Sequence, residues 1–364
     1  MIPSQAKTYY IKTFGCQANV ADSEKIAGFL AQAGLKKAKT IDKADIIVIN
    51  SCAVRQSAED RAIGLAHNLS QKKSLGLVIV TGCLLYHKKK YLQEKLKEKV
   101  DLMVKTKDWP KFILDNWSIK VKDQPLRDTQ EIAHIPIMEG CNNFCTYCVV
   151  PHARGRERSV LPEEVVCQVS RAIKLGYREV LLLGQNVNSY GKDQTAKSWE
   201  KLKKETGFDT PLAGLLVKLS RFNKLKKISF LTSNPQDLDD DIIQAMRGEK
   251  IDRQLHLPVQ SGDDEILAAM NRKYTTVQYI ELVKKIRKKI PEIKISTDII
   301  VGFPGETKKQ FQKTVDLCQK IGFNKAYINK YSPRPQTAAS KLVDNVSHSE
   351  KKRRWRILDK MINN

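Results

Sequence analysis

Residues 138–159 read MEGCNNFCTYCVVPHARGRERS. Three cysteines, Cys141, Cys145 and Cys148, stand at the spacing C-x3-C-x2-C, and His152, Arg154, Arg156 and Arg158 follow at once. The preceding HIPIMEG (134–140) reads as a strand, so the thiols leave a strand end together. The count of three is informative. Structural zinc normally takes four ligands, and no histidine stands at finger spacing beside the group. An iron–sulfur cubane takes one thiolate per iron, so three protein thiolates leave one iron open. A catalytic zinc with water in the fourth position is the competing use of the same residues.

Three further cysteines are far apart in sequence, yet each follows a predicted strand: IKTFGC gives Cys16, IIVINSC Cys52 and LVIVTGC Cys83. If those strands are parallel neighbours, the three thiols emerge at one sheet edge. Cys167 and Cys318 sit among apolar residues in helical patterns and read as buried core cysteines.

Around these groups the chain alternates strand and helix signals. KTYYIKTF (7–14) is a predicted strand, ADSEKIAGFLAQAG (21–34) a helix stopped by Gly34, and ADIIVIN (44–50) a second strand. A helix over 57–70 and the strand LGLVIVTG (75–82) follow. Such alternation implies right-handed crossovers and a parallel sheet, here an N-terminal doubly wound α/β domain over 1–116. The polar stretch 117–130 reads as a linker. Six more strand signals follow: HIPIMEG, EVLLLGQN, KISFLTS, QLHLPVQ, KISTDIIVG and KAYINKYS. With helices between them (TPLAGLLVKLSRF, DLDDDIIQAMR, TKKQFQKTVDLCQKIG) they predict a partial (β/α)6 TIM-type barrel over 131–345. Polar or glycine-rich phrases end these strands, where such folds bind ligands. Residues 346–364 form a predicted basic amphipathic helix.

The chain carries 64 Lys+Arg against 40 Asp+Glu, a formal charge of +24. Single lysine runs such as YHKKKYLQEKLKEK read as solvated helix faces, but solubility alone needs a net charge of only about 2–8 on a small domain. The excess attracts polyanions, nucleic acid first. No apolar run approaches the roughly 20 residues that cross a bilayer, and the start lacks the apolar centre of a signal peptide. A cytoplasmic location is expected, where cysteines serve as ligands or catalysts more often than as disulfides.

FGCQANVADSE, INSCAVRQSAED, VTGC, EGCNNFCTYCVVPHARGRERS, LHLPVQSGDDEILAAMNRKYT, STDIIVGFPGET and KYSPRP, in this order, resemble the methylthiotransferases of the radical S-adenosylmethionine (SAM) superfamily. The resemblance covers nearly the whole chain. It implies that Cys141, Cys145 and Cys148 hold a 4Fe–4S cluster whose open iron chelates SAM and cleaves it to a 5′-deoxyadenosyl radical. Cys16, Cys52 and Cys83 would hold an auxiliary 4Fe–4S cluster carrying the sulfur to be inserted. A second SAM methylates that sulfur, and the target is carbon 2 of an N6-isopentenylated adenosine beside the tRNA anticodon. Such chemistry calls for a low-potential electron donor such as flavodoxin or ferredoxin, and for a sulfur donor. A monomer without a membrane partner is expected.

Within this resemblance, Tyr147 either contacts the adenine of SAM or simply packs. Gln185, Asn186, Ser233 and Asp298, polar residues at strand ends, are candidates for the amino-acid and ribose parts of SAM. Gly302 and Gly305 permit close backbone approach or a structural turn. His152, Arg154, Arg156 and Arg158 are candidates for anticodon-loop phosphates, against pairing with Glu157 or Glu163. Family members usually continue into a small β-barrel, the TRAM domain, whereas the sequence in hand stops at EKKRRWRILDKMINN, either naturally short or cut, and Gln336 stands where the family usually has Gly. Two alternative substrates keep the chemistry: N6-threonylcarbamoyladenosine in tRNA, or an aspartate of a ribosomal protein. A different class of protein, a non-catalytic iron–sulfur or zinc RNA binder, predicts metal without SAM cleavage.

Overall fold

The computed structural model describes residues 6–72, 76–127, 131–193 and 197–364. The chain divides into two compact units, the first comprising Met1–Gln130 with His152–Arg154, the second Glu131–Pro151 with Gly155–Asn364.

The first unit runs β1 (Thr8–Phe14), α1 (Gln17–Gln32), β2 (Lys36–Lys37), β3 (Ile46–Ser51), α2 (Gln56–Ser70), β4 (Leu77–Gly82), α3 (Lys89–Leu96), β5 (Leu102–Met103) and α4 (Trp109–Trp117). Its strands form one parallel sheet in the order β2-β1-β3-β4-β5. β3 is buried at every position, the mark of a central parallel strand covered on both faces. Successive side chains alternate between faces. Ile46 and Val48 pack with Ile26, Leu30 and Trp109 on one side, Ile47 and Ile49 with Ala58, Ala62 and Leu84 on the other. The helices therefore cover both faces, as doubly wound topology requires. α1 begins four residues before the expected Ala21. Asn19 Oδ1 accepts from the backbone N–H of Cys16 (3.4 Å), closing the first turn at a cysteine, which is not one of the usual N-cap types. Residues 118–127 have no regular structure but run along α1. Gln32 exchanges two hydrogen bonds with the backbone of Lys122 (2.9 Å each), and Leu126 N donates to Glu24 O (2.8 Å). Gly28 lets the segment approach: a Cβ there would lie 1.9 Å from Gln124 O. The predicted linker lies outside the described residues at 128–130.

The second unit runs β6 (Ile132–Pro136), β7 (Met138–Glu139), α5 (Val150–Arg154, whose last three residues group with the first unit), β8 (Arg158–Ser159), α6 (Pro162–Lys174), β9 (Glu179–Leu183), α7 (Lys197–Thr206), α8 (Pro211–Ser220), β10 (Lys227–Phe230), α9 (Asp240–Ala245), β11 (Gln254–His256), α10 (Asp264–Ala269), α11 (Thr276–Lys289), β12 (Lys294–Val301), α12 (Lys308–Ile321), β13 (Lys325–Lys330) and α13 (His348–Ile362). The six main strands form two parallel sheets, β10-β9-β6 and β11-β12-β13, and a parallel bridge between Ile228 and Ile251 leads from one toward the other. Antiparallel β7–β8 closes the stretch that contains the tight cysteine group. Along β12, Ile295, Thr297, Ile299 and Val301 are buried, while Ser296, Asp298 and Ile300 on the opposite face are half-buried.

One expectation about a side chain is not met. Cys167 is exposed and only Cys318 is buried. α6 buries Val165, Val169 and Ala172, spaced by four and three, which turns position 167 outward. The basic helix α13 turns two of its cations inward. Lys351 and Arg354 are buried, pairing with Asp344 and with Glu306 and Glu350. Gln336 has φ +69°, the left-handed region that glycine adopts freely, which accounts for the family's preference there. Gly302 and Gly305 also have positive φ, and a Cβ on Gly302 would lie 2.4 Å from the Lys351 side chain, a structural reason for that glycine. Among the described residues no helix is long and apolar enough to cross a membrane.

Candidate active site and metal centres

The register of the first sheet pairs Phe14 with Ser51 and Ser51 with Gly82, so Cys16, Cys52 and Cys83 leave three neighbouring strands at one edge. The thiols interact. Hydrogen bonding from Cys52, helped by the Asn19 amide at the start of α1 and by Arg154, holds Cys16 down to about 5 despite its burial cost. Cys52 is raised in turn, chiefly by that same bond and then by burial. Cys83 is raised by burial. Beneath them lies an amide hub that the sequence reading missed. Asn50 Nδ2 donates to Asn19 O (2.8 Å) and Ser23 Oγ (2.9 Å), and Asn19 Nδ2 donates to Asn50 Oδ1 (3.3 Å). Both residues are fully buried. A Cβ at Gly15 would lie 2.3 Å from Asn19 Oδ1, and one at Gly82 2.2 Å from Asn50 Oδ1. The glycines before Cys16 and Cys83 thus make room for the hub, a signal present in FGCQAN, INSC and VTGC.

Arg154, expected on RNA phosphates, is placed elsewhere. It belongs with the first unit, its side chain is 10% exposed, and it pairs with Asp22 at 2.6 Å. Its charge favours the thiolate forms of Cys16 and Cys83. The guanidinium is committed to the acid and the thiols.

In the second unit the loop of Cys141, Cys145 and Cys148 is pinned from several sides. Gly140 N donates to Gln185 Oε1 (2.6 Å), Cys141 N to Gly155 O (3.1 Å), and Thr146 N to Met270 O (3.1 Å). Gly140 must be glycine: its φ is +83° and a Cβ would lie 2.1 Å from Arg156 O. Asn271 and Arg272, just after α10, also escaped the sequence reading. Asn271 Nδ2 donates to Asn143 O and Phe144 O (3.0 Å each), and Arg272 Nη1 to Cys145 Sγ (3.5 Å). Burial pushes Cys141 up to about 11 and Cys148, also facing Cys145, up to about 12. Free thiols here are therefore poor ligands until a cation compensates the charge. Among the described residues no group of His, Cys, Asp or Glu meets the geometry of a single-ion site. What the chain presents is two sets of three soft sulfur donors, each backed by a cation, Arg154 or Arg272. That donor set fits a cubane that takes one thiolate per iron.

Residues 135–318 match the radical SAM superfamily, and residues 8–105 match the uncharacterized protein family UPF0004. Among curated proteins, the chain is 40% identical over 370 residues to tRNA-2-methylthio-N(6)-dimethylallyladenosine synthase of Thermoanaerobacter sp. (strain X514), covering 95% of this chain and 76% of the relative. It is 39% identical over 379 residues to the synthase of that name from Clostridium botulinum (strain Loch Maree / Type A3), covering 98% and 81%. The chain belongs to this radical SAM methylthiotransferase family. In fold it is similar to the radical SAM methyltransferase TsrM of Kitasatospora setae (TM-score 0.65, 12% identity, 92% of this chain and 74% of that one). A second likeness is the cobalamin-dependent radical SAM enzyme OxsB (TM-score 0.58, 11% identity, 98% and 56%).

The remaining methylthiotransferase candidates divide between structural roles and open ones. Tyr147 packs against the cluster of Ile266, Met270, Phe303, Tyr331 and Ala339, and its phenol is raised by desolvation and by Cys145. Asn186 is spent within the protein, donating to Asp237 (2.7 Å) and accepting from Asn234 N (3.2 Å). Asp298 faces His256 at 3.1 Å. Ser233 is different: its Oγ is buried and without a partner, as are Asn188 Oδ1 and Asn234 Oδ1. Three unsatisfied buried oxygens after β9 and β10 fit a polar ligand that completes them, as the amino-acid or ribose part of SAM does. His152 is exposed. Arg158 pairs with Glu139 (3.1 Å) rather than with Glu157 or Glu163, and Arg156 lies over the ring of Phe144, its guanidinium carbon 4.2 Å from the centroid.

Proposed function

We infer that this protein methylthiolates tRNA, adding a methylthio group to carbon 2 of N6-isopentenyladenosine beside the anticodon. The observation that carries this is the pair of three-thiol groups in a chain about 40% identical, over nearly its whole length, to synthases of that activity. Two 4Fe–4S clusters and SAM, when bound, supply reductive SAM cleavage and the sulfur for transfer. Cys141, Cys145 and Cys148 would hold one cluster, Cys16, Cys52 and Cys83 the other. Arg272 and Arg154 offset the charge of the thiolates. Ser233, with Asn188 and Asn234, would orient SAM, and Gln185 fixes the cysteine loop through Gly140 N. Exposed Arg156 and His152 would meet RNA.

Parallel strands in chain order support a partial (β/α)6 barrel in the second unit. Domain limits of 1–116, 131–345 and 346–364, a cytoplasmic location, a monomeric state, and flavodoxin- or ferredoxin-type electron supply with a separate sulfur donor complete the proposal.

The test uses anaerobically reconstituted protein. About eight irons per chain are expected, four for each cubane. SAM and dithionite should release 5′-deoxyadenosine, and Cys145→Ala should abolish that release. Nucleoside mass spectrometry of tRNA then identifies the product. Zinc in place of iron, or iron without SAM cleavage, would favour an RNA-binding metalloprotein. A methylthio group on threonylcarbamoyladenosine would move the substrate and keep the chemistry.

A further inference from the structure

We propose that Phe144, with Arg156 stacked behind it, is a platform on which a base of the substrate RNA stacks; this rests on the tRNA assignment above. Phe144 lies in the loop between Cys141 and Cys145 and has φ +48°. The left-handed region is a costly conformation for a bulky side chain, and it persists only where the surroundings enforce it. Here they do: Asn271 Nδ2 donates to both Asn143 O and Phe144 O at 3.0 Å, clamping the backbone on each side of the residue. The result of this cost is an aromatic ring 38% exposed. Packing does not explain it, since the neighbouring Tyr147 is the ring of this loop that joins the apolar cluster.

The ring is also electrostatically prepared. The Arg156 guanidinium carbon lies 4.2 Å from its centroid, and among the described residues Arg156 makes no ion pair. A cation over the ring and 38% exposure of the residue suit a flat heterocycle. Nucleobases stack on such aromatic and guanidinium planes without regard to sequence. Gly140 fixes the arrangement from below, because its missing Cβ lets Arg156 O approach the cysteine loop. The strain, the exposure and the stacked cation all occur one residue before Cys145, so a base held here is held beside the loop that would bind SAM. The whole-chain charge of +24 makes RNA the partner this platform meets.

Reconstituted holoenzyme is titrated with a synthetic anticodon stem-loop carrying 2-aminopurine at each loop position flanking the target adenosine in turn. Binding should quench the fluorescence at one or more positions. Phe144→Trp should retain quenching and affinity. Phe144→Leu, similar in bulk but not aromatic, should lose the quenching and weaken binding about tenfold. A Phe144→Leu protein that quenches and binds like the wild type overturns the platform and leaves the tRNA assignment standing. Loss in both variants also overturns it, because a purely structural need for phenylalanine would reject tryptophan as well. Absence of stem-loop binding by the wild type removes the tRNA assignment and the platform with it.

Discussion

Replacing Arg354 by Met should cost the second unit much of its stability, and the size follows from one buried ion pair. Arg354 Nη1 lies 2.6 Å from Glu306 Oε2, with side chains 3% and 1% exposed. At an effective dielectric of about 20, two charges at that distance attract by about 6 kcal/mol. Desolvation offsets most of this, which is why such a pair adds little net stability while intact. Removing one partner strips the compensation and leaves Glu306 buried, a cost of about 3–5 kcal/mol. For a body of this size that lowers Tm by about 10 °C. The loss also depends on pH, in a direction that can be worked out. Burial already raises Glu306 above the usual carboxylate range despite Arg354, and losing the cation raises it further. An acid with a raised folded pKa penalises the fold only as pH climbs through that value. The gap between variant and wild type should therefore be full at high pH and narrow as pH falls toward 5. Calorimetric melts from pH 5 to 8 supply the measurement. Glu306→Gln on top of Arg354→Met should recover much of the loss, because a neutral amide oxygen can still accept from Gly302 N, now at 2.6 Å. A single variant within about 2 °C of wild type, a gap that widens toward acid, or no rescue in the double variant would refute the electrostatic account.

Gln336→Gly should raise stability by about 1 kcal/mol, the left-handed penalty less glycine's extra chain entropy, and a melt that falls instead would show that the Gln336 side chain outweighs its backbone. In the metal-free protein, Cys16 should react with iodoacetamide at a rate nearly constant above pH 6.5 and half-maximal near its titration at about 5. A tenfold rise per pH unit between 6 and 8 would mean an ordinary thiol, and Cys52→Ala should move the profile toward that behaviour. Asn50→Ala should destabilise the first unit by about 3 kcal/mol through the partners it leaves unsatisfied, and iron retained per chain should fall toward about four. Full iron with unchanged stability would remove the hub from any role in holding the thiols.

The strand-end cysteines were legible because period and punctuation act locally: an apolar run, a small residue, then a thiol. The start of α1 was not, since its cap is a cysteine supported by Asn19. Cys167 was misjudged from apolar neighbours, when the spacing of Val165, Val169 and Ala172 decides which way it points. Arg154 shows the harder limit. Nothing in HARGRERS distinguishes the one arginine that pairs with Asp22, 132 positions away, from the two that stay at the surface. Asn271 and Arg272 were part of a quoted phrase, but their hold on the cysteine loop depends on folding across more than 120 positions.

The hub of Asn19 and Asn50 bears on how the first unit acquires its metal. The two amides tie the end of β3 to the first turns of α1, and Gly15 and Gly82 leave no slack in that tie. The site is a mould rather than a drawstring. A donor would deliver its cargo to a thiol that Cys52 and Arg154 hold low, beside a strand end fixed by its own hydrogen bonds. Repeated loss and replacement of this centre over the life of the enzyme would leave the surrounding scaffold unworn.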